Sequence, residues 1–142
     1  MSQIFRVRPA VAGGLGEHTI MDTSQHPLVV ERLHYVFAGW GGDDLVESFP
    51  CFLVTARLAT SIDAQRLTGV RFAEVEVSID PQLAEMEPSM VDRFPPWRWL
   101  QPIGCATVDD FWVDDKAQLY VSSRARELLS AFDMSSAHFE LV

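Results

Sequence analysis

The sequence predicts an α+β fold: a single domain in which two repeated strand-helix-strand units pack on a mainly antiparallel or mixed sheet. Three observations carry this. Residues 52–75 and 119–142 can be laid over each other without a gap at a spacing of 67 residues. Within each copy the apolar spacing passes from strand to helix and back to strand. A chain of 142 residues with 48% apolar content can bury one real core but not two comfortable ones, so residues 1–142 form one domain.

The repeat rests on Val54/Val121, Arg57/Arg124, Ala64/Ala131, Phe72/Phe139 and Val75/Val142, which are identical, with Thr55/Ser122 and Ile62/Leu129 close in kind. Each copy opens on an apolar triplet, Phe52-Leu53-Val54 or Leu119-Tyr120-Val121, followed by a hydroxyl placed to cap a helix. Ala125, Leu128, Leu129 and Phe132 give the second helix a buried stripe, and Leu58 and Ile62 give the first a thinner one. Thr68-Gly69 is expected to end the first helix. Arg57 and Arg124 stand two places into their helices, where a cation opposes the dipole at a cost of about 0.3 to 1 kcal/mol. Two readings fit them: long stems over the sheet edge with heads in water, or clamps on a nearby carboxylate that fix the strand-to-helix corner.

In chain order, residues 4–8 alternate apolar and basic side chains and read as an edge or near-edge strand ended by Pro9. The glycine-rich residues 12–16 read as a flexible connector, since no Walker lysine follows. Residues 28–38 fit either period, with a strand favoured from about His34, and Gly39 to Gly42 form a turn around Trp40. Leu45 and Val46 start a short element before Pro50. After the first copy, residues 74–79 alternate as a strand with carboxylates outward. Residues 82–93 carry loose helical spacing, and Pro95-Pro96 forces residues 97–100 into an extended stretch with Trp97 and Trp99 on one face. Residues 104–106 turn, and Asp114-Asp115-Lys116 connects to the second copy.

The net charge of −9 disfavours nucleic acid and anionic membrane, because phosphate binding needs clustered Lys and Arg. It suits solubility or a basic partner. No apolar run is long enough to span a bilayer and no secretion signal is seen at the start, so a cytoplasmic location is expected. Cys51 and Cys105 are too few for a disulfide scaffold and are expected reduced and buried. His18, His26, His34 and His138 show no metal-binding spacing, so no zinc is expected. Asp43-Asp44 and Asp109-Asp110 would hold magnesium only if folded together, and read by default as solvated turns. No nucleophile signature surrounds Cys51, and no carboxylate pair stands out among twenty acidic residues. The expectation is therefore no catalytic residues, no cofactor and no metal.

GDDLVESFPCFLVT at 42–55, LTGVRF at 67–72, VEVS at 75–78, RWL at 98–100, VDDF at 108–111 and LYVSSRARELLSAF at 119–132 together resemble a superfamily of small bacterial immunity proteins. These are carried beside polymorphic and contact-dependent toxins, and members often end in a pattern like L-x-V-S-x-R-A-x-E-L-L. The paired CxxCG elements of one similar branch are missing, so that branch's metal site does not carry over. The resemblance implies a non-catalytic protein that neutralises a cognate toxin by binding it. The alternative is an enzyme or small-ligand module with a site between the two copies.

The residues assigned to the partner surface are Asp109, Asp110, Phe111, Trp112, Asp114 and Asp115, with Trp97 and Trp99 beside them. Carboxylates around an apolar trio have the composition of an interface anchor with an acidic rim. The bland reading places Phe111 and Trp112 in the core beside an acidic turn.

Overall fold

The computed structural model describes residues 3–25 and 28–142. In chain order these form β1 (Ile4–Arg8), β2 (Ala10–Val11), β3 (Gly13–Leu15), β4 (Ile20–Asp22), β5 (Val29–Arg32), β6 (His34–Phe37), β7 (Leu45–Ser48) and β8 (Cys51–Thr55). There follow α1 (Ala56–Ala64), β9 (Val70–Ala73), β10 (Glu76–Ile79), α2 (Pro81–Met86), α3 (Pro88–Asp92) and β11 (Trp97–Pro102). The chain closes with β12 (Phe111–Val113), β13 (Leu119–Ser122), α4 (Ser123–Ser130) and β14 (His138–Leu141). The fold is α+β, as the repeat predicts.

The unbroken apolar run of β8 explains the layering. A strand whose consecutive side chains are all apolar must be covered on both faces, and every residue of β8 is buried. Phe52 and Val54 turn to one core with Leu45, Leu100, Leu58 and Ile62, where Val7, Phe111, Leu119, Val121 and Leu129 also pack. Cys51 and Leu53 turn to a second core with Trp97, Trp99, Val46, Leu33, Tyr35 and Phe37. The five-stranded sheet β2-β7-β8-β11-β9 therefore lies between helices α1 and α4 with the sheet β12-β13-β1-β14 on one side, and the sheet β10-β6-β3 on the other.

The two copies share more than element order. Leu45 pairs with Val54 as Phe111 pairs with Val121. Leu100 of β11 lies across from both Phe52 and Phe72, as Val7 of β1 lies across from both Leu119 and Phe139. Each strand-helix-strand unit thus holds a foreign antiparallel strand between its own two strands, in the same register.

β1 is not the edge itself but the strand beside it, between β13 and β14, which is the near-edge place its pattern allows; Arg6 Nη2 donates to Glu140 Oε2 of β14 over 2.6 Å. Several expectations change. The glycine-rich connector contains β3, which pairs with β6. Thr68-Gly69 does not end α1, which stops at Ala64 with Arg66 in the left-handed region (φ 55°). Gly69 has a different task. A Cβ there would fall 2.4 Å from the Phe111 carbonyl oxygen, so glycine lets the first copy's exit loop touch β12. No helix among the described residues is long and apolar enough to cross a membrane.

Candidate functional site

An open groove of about 380 Å³ forms where the β7–β8 turn, the end of β11 and the β12–β13 hairpin meet. Its floor is Cys51, Phe52, Trp99 and Leu100, residues held by β8 and β11. Its mouth is apolar and wet: Phe49 is 61% exposed and Ile103 57%. Asp114, Asp115, Lys116 and Arg71 stand around it. Burial pushes the Cys51 thiol up to about 12, which makes it a poor nucleophile. Burial also works against the Asp114 carboxylate, but the amides of Gln118 and Lys116 and the Tyr120 hydroxyl donate to it and hold it below the ordinary carboxylate value.

The acidic-aromatic stretch is not an exposed anchor. Phe111 is buried in the first core and Trp112 stacks on Tyr120 with ring centroids 5.9 Å apart. Alternation along β12 sends them to opposite faces, and both faces are covered. Trp97 and Trp99 do share a face, but it is the face of the second core, where Trp97 joins Phe37, Trp40 and Phe94. A side chain that anchors a partner must meet solvent first, so Phe111, Trp112 and Trp97 do not form such an anchor, while Trp99 enters only as part of the groove floor. Asp114 and Asp115 line the groove.

Asp109 and Asp110 are engaged locally. The Cys105 amide donates to Asp109 Oδ2 over 2.6 Å. Asp110 accepts from Ser122 Oγ at 2.6 Å and from the Thr68 amide at 2.8 Å, and Arg124 stands 3.5 Å away. The first copy holds the equivalent arrangement at Asp44, which accepts from Thr55 Oγ1 at 2.6 Å, from Arg57 Nε at 2.8 Å and Nη2, and from the Asp133 amide at 2.9 Å. Burial raises both carboxylates, yet these donors outweigh it and hold each below the ordinary value. The clamp reading of the two arginines is thus the correct one at Arg57, and Arg124 reaches further, to the Gln65 and Arg66 carbonyls at the end of α1. Thr55 does not cap its helix because its hydroxyl goes to Asp44, whereas Ser122 also accepts from the Ala125 amide at 3.1 Å. Asp43 and Asp44 are not solvated turns: both are buried, at 0% and 1% exposure.

Cys105 is exposed rather than buried. Among the described residues, one group of three side chains has donor atoms close enough for a metal ion: His18, His34 and Glu76. Sequence spacing missed it because the three lie on a turn, on β6 and on β10, brought together by the parallel β6–β10 pairing that sets Glu76 opposite His34. His138 sits apart on β14, and His26 is outside the described residues. In comparison with known proteins, no family model and no curated protein matches this sequence.

Proposed function

We propose that the chain is a non-catalytic immunity protein of the cytoplasm that neutralises a cognate bacterial toxin by direct binding. The observation that carries the reading is the groove: an apolar floor with Phe49 and Ile103 exposed at its mouth suits the seating of a partner's apolar side chain. Asp114 and Asp115 at its rim are matched by Arg71 and Lys116, so it is the net charge of −9 that favours a basic partner, through faster association. The motifs from residue 42 to the end supply the toxin as the class of partner, by their resemblance to immunity proteins. The buried Asp44 and the partly buried Asp110 are committed to the two corners, which supports binding rather than catalysis.

The test is co-purification with the product of the neighbouring gene, followed by a binding titration. Nanomolar affinity is expected, with Phe49→Ala/Ile103→Ala weakening it about tenfold or more while thermal unfolding stays nearly unchanged. Failure of the wild-type protein to bind would end the immunity reading, and full protection of cells by the double variant would move the contact away from the groove. A second reading has one observation in its favour. The groove volume falls in the range of about 300–1,000 Å³ typical of small-molecule sites, and Phe52 and Arg71 of the first copy line it together with β11 and residues 113–117, which lead into the second. A small-ligand module would show saturable binding of a soluble metabolite that Ile103→Ala reduces.

A further inference from the structure

We propose that His18, His34 and Glu76 bind a divalent transition metal of the zinc type, as a clasp between the turn at residues 16–19 and the β6–β10 pair. One donor atom from each residue lies within 4.8 Å of the others. His18 Nδ1 is 2.8 Å and His34 Nε2 3.7 Å from the same carboxylate oxygen, Glu76 Oε2. Zinc bonds of about 2.0–2.2 Å in a tetrahedron set neighbouring donors about 3.3–3.5 Å apart. One separation is shorter and the other longer than that value, and the two rings lie nearly parallel at 20°, so loading requires the half-exposed His18 ring to turn out of its stack on His34 until both lone pairs meet at the ion. Imidazole and carboxylate donors select zinc, nickel or cobalt over calcium and magnesium, and three protein donors leave a fourth position for water.

The surroundings hold the donors in place. The His34 side chain is only 7% exposed. Its carbonyl accepts from the Gly16 amide at 2.6 Å and the Thr19 hydroxyl at 3.0 Å, and its amide donates to Thr19 Oγ1 at 3.0 Å. A Cβ at residue 16 would fall 2.1 Å from His34 Nδ1, so glycine is what allows the turn to close over the ring. The His18 ring stacks on it with centroids 4.8 Å apart, and only His18, the exposed member of the pair, has to move on loading. Arg32 Nη2 takes Glu76 Oε1 at 3.0 Å, which orients the carboxylate and leaves Oε2 facing both imidazoles.

Loading has a definite proton balance. The His18 amide donates to His34 Nδ1 at 3.3 Å, so neutral His34 carries its proton on Nε2, directed at Ser78 Oγ 2.8 Å away. The ion takes the place of that proton, and of the His18 Nδ1 proton now shared with Glu76. Each displaced proton leaves to solvent while the ring's other nitrogen takes one up, so both rings stay neutral, and the Ser78 contact and the long His18 amide contact are both given up.

The whole protein would be titrated with zinc chloride by calorimetry and by thermal melting, and with Co²⁺ followed in the visible spectrum. One equivalent bound in the micromolar range or tighter, a raised Tm and the absorption of four-coordinate cobalt are expected. His18→Ala and Glu76→Gln alter partly exposed side chains, leave the buried His34 intact, and should each weaken binding about tenfold or more. His138→Ala should bind as the wild type does. Absence of saturable one-equivalent binding would overturn the proposal. So would variants at His18 and Glu76 that bind like the wild type, or binding lost only in His138→Ala.

Discussion

Replacing Asp44 removes the acceptor of Thr55, Arg57 and the Asp133 amide at once. Hydrogen bonds to a charged group contribute about 1.5–3 kcal/mol, and the exposed Arg57 recovers water when released. Asp44→Ala is therefore expected to destabilise by about 1.5 to 3 kcal/mol in urea titrations at pH 7. Because its carboxyl is held below the ordinary 3.8, that stability is present above this value and lost as pH falls through the lower folded one. The gap between wild type and variant should close in acid. Asp43 is the opposite case: burial raises it, its Oδ1 is buried without a partner, and its Oδ2 accepts from the Ser136 amide at 3.0 Å. A raised carboxyl contributes stability below 3.8 and loses it as pH rises through the folded value. Asp43→Asn should thus compare better with the wild type at pH 7 than at pH 3. Melting both variants across that range checks the pair of signs, and equal pH slopes would contradict them. Asp110 belongs to the same corner chemistry, so reversing its charge would test the fold before it tested any partner.

At the level of elements, the amphipathic stripe of α4 was legible from Ala125, Leu128 and Leu129, since helical spacing is local and three or four residues reveal it. Ala125 and Leu129 are indeed fully buried. Leu129→Ala should cost about 2 to 5 kcal/mol, measured by denaturant midpoint at unchanged m-value. The caps divide differently from the sequence pattern. Ser122→Ala removes both a cap on the Ala125 amide and a donor to Asp110, whereas Thr55→Ala removes only the donor to Asp44. Ser122→Ala is expected to be the more damaging, by about 1 kcal/mol. A larger loss in Thr55→Ala would reverse that assignment. What spacing could not reveal is a strand's neighbour. Residues 4–8 read as an edge or near-edge strand because Arg6 and Arg8 alternate with apolar residues, and that pattern could not choose between the edge and the place beside it that β1 takes. The histidine group was hidden for the same reason, since its members meet only through pairing between β6 and β10. One signal did lie in the sequence: Asp43-Asp44-Leu45 and Asp109-Asp110-Phe111 precede the two copies at nearly the repeat spacing.

Over the whole molecule the copies are bound reciprocally. The lead-in aspartate of the first reaches the loop after the second helix, and that of the second reaches the loop after the first. Arg57 lies over the Phe132 ring at 5.3 Å, while Arg124 holds the carbonyls that end α1. Leu58, Ile62, Ala125 and Leu129 from the two helices pack in one core. Unfolding is therefore expected as one transition, with calorimetric and van't Hoff enthalpies equal. Two resolved transitions would show the copies to be separate units.

The place of β1 between β13 and β14 also sets a clock. Arg6 and Glu140, which meet across that sheet, are 134 positions apart in the chain. A ribosome adding about 5–20 residues per second needs on the order of ten seconds to deliver the partner after β1 has emerged. For that interval a strand with Phe5 and Val7 on its apolar face waits in the nascent chain, while the sheet around β8 and β11 can already assemble. Vectorial synthesis thus orders the folding of two nearly equivalent halves, and the half that is finished last holds the strand that was made first.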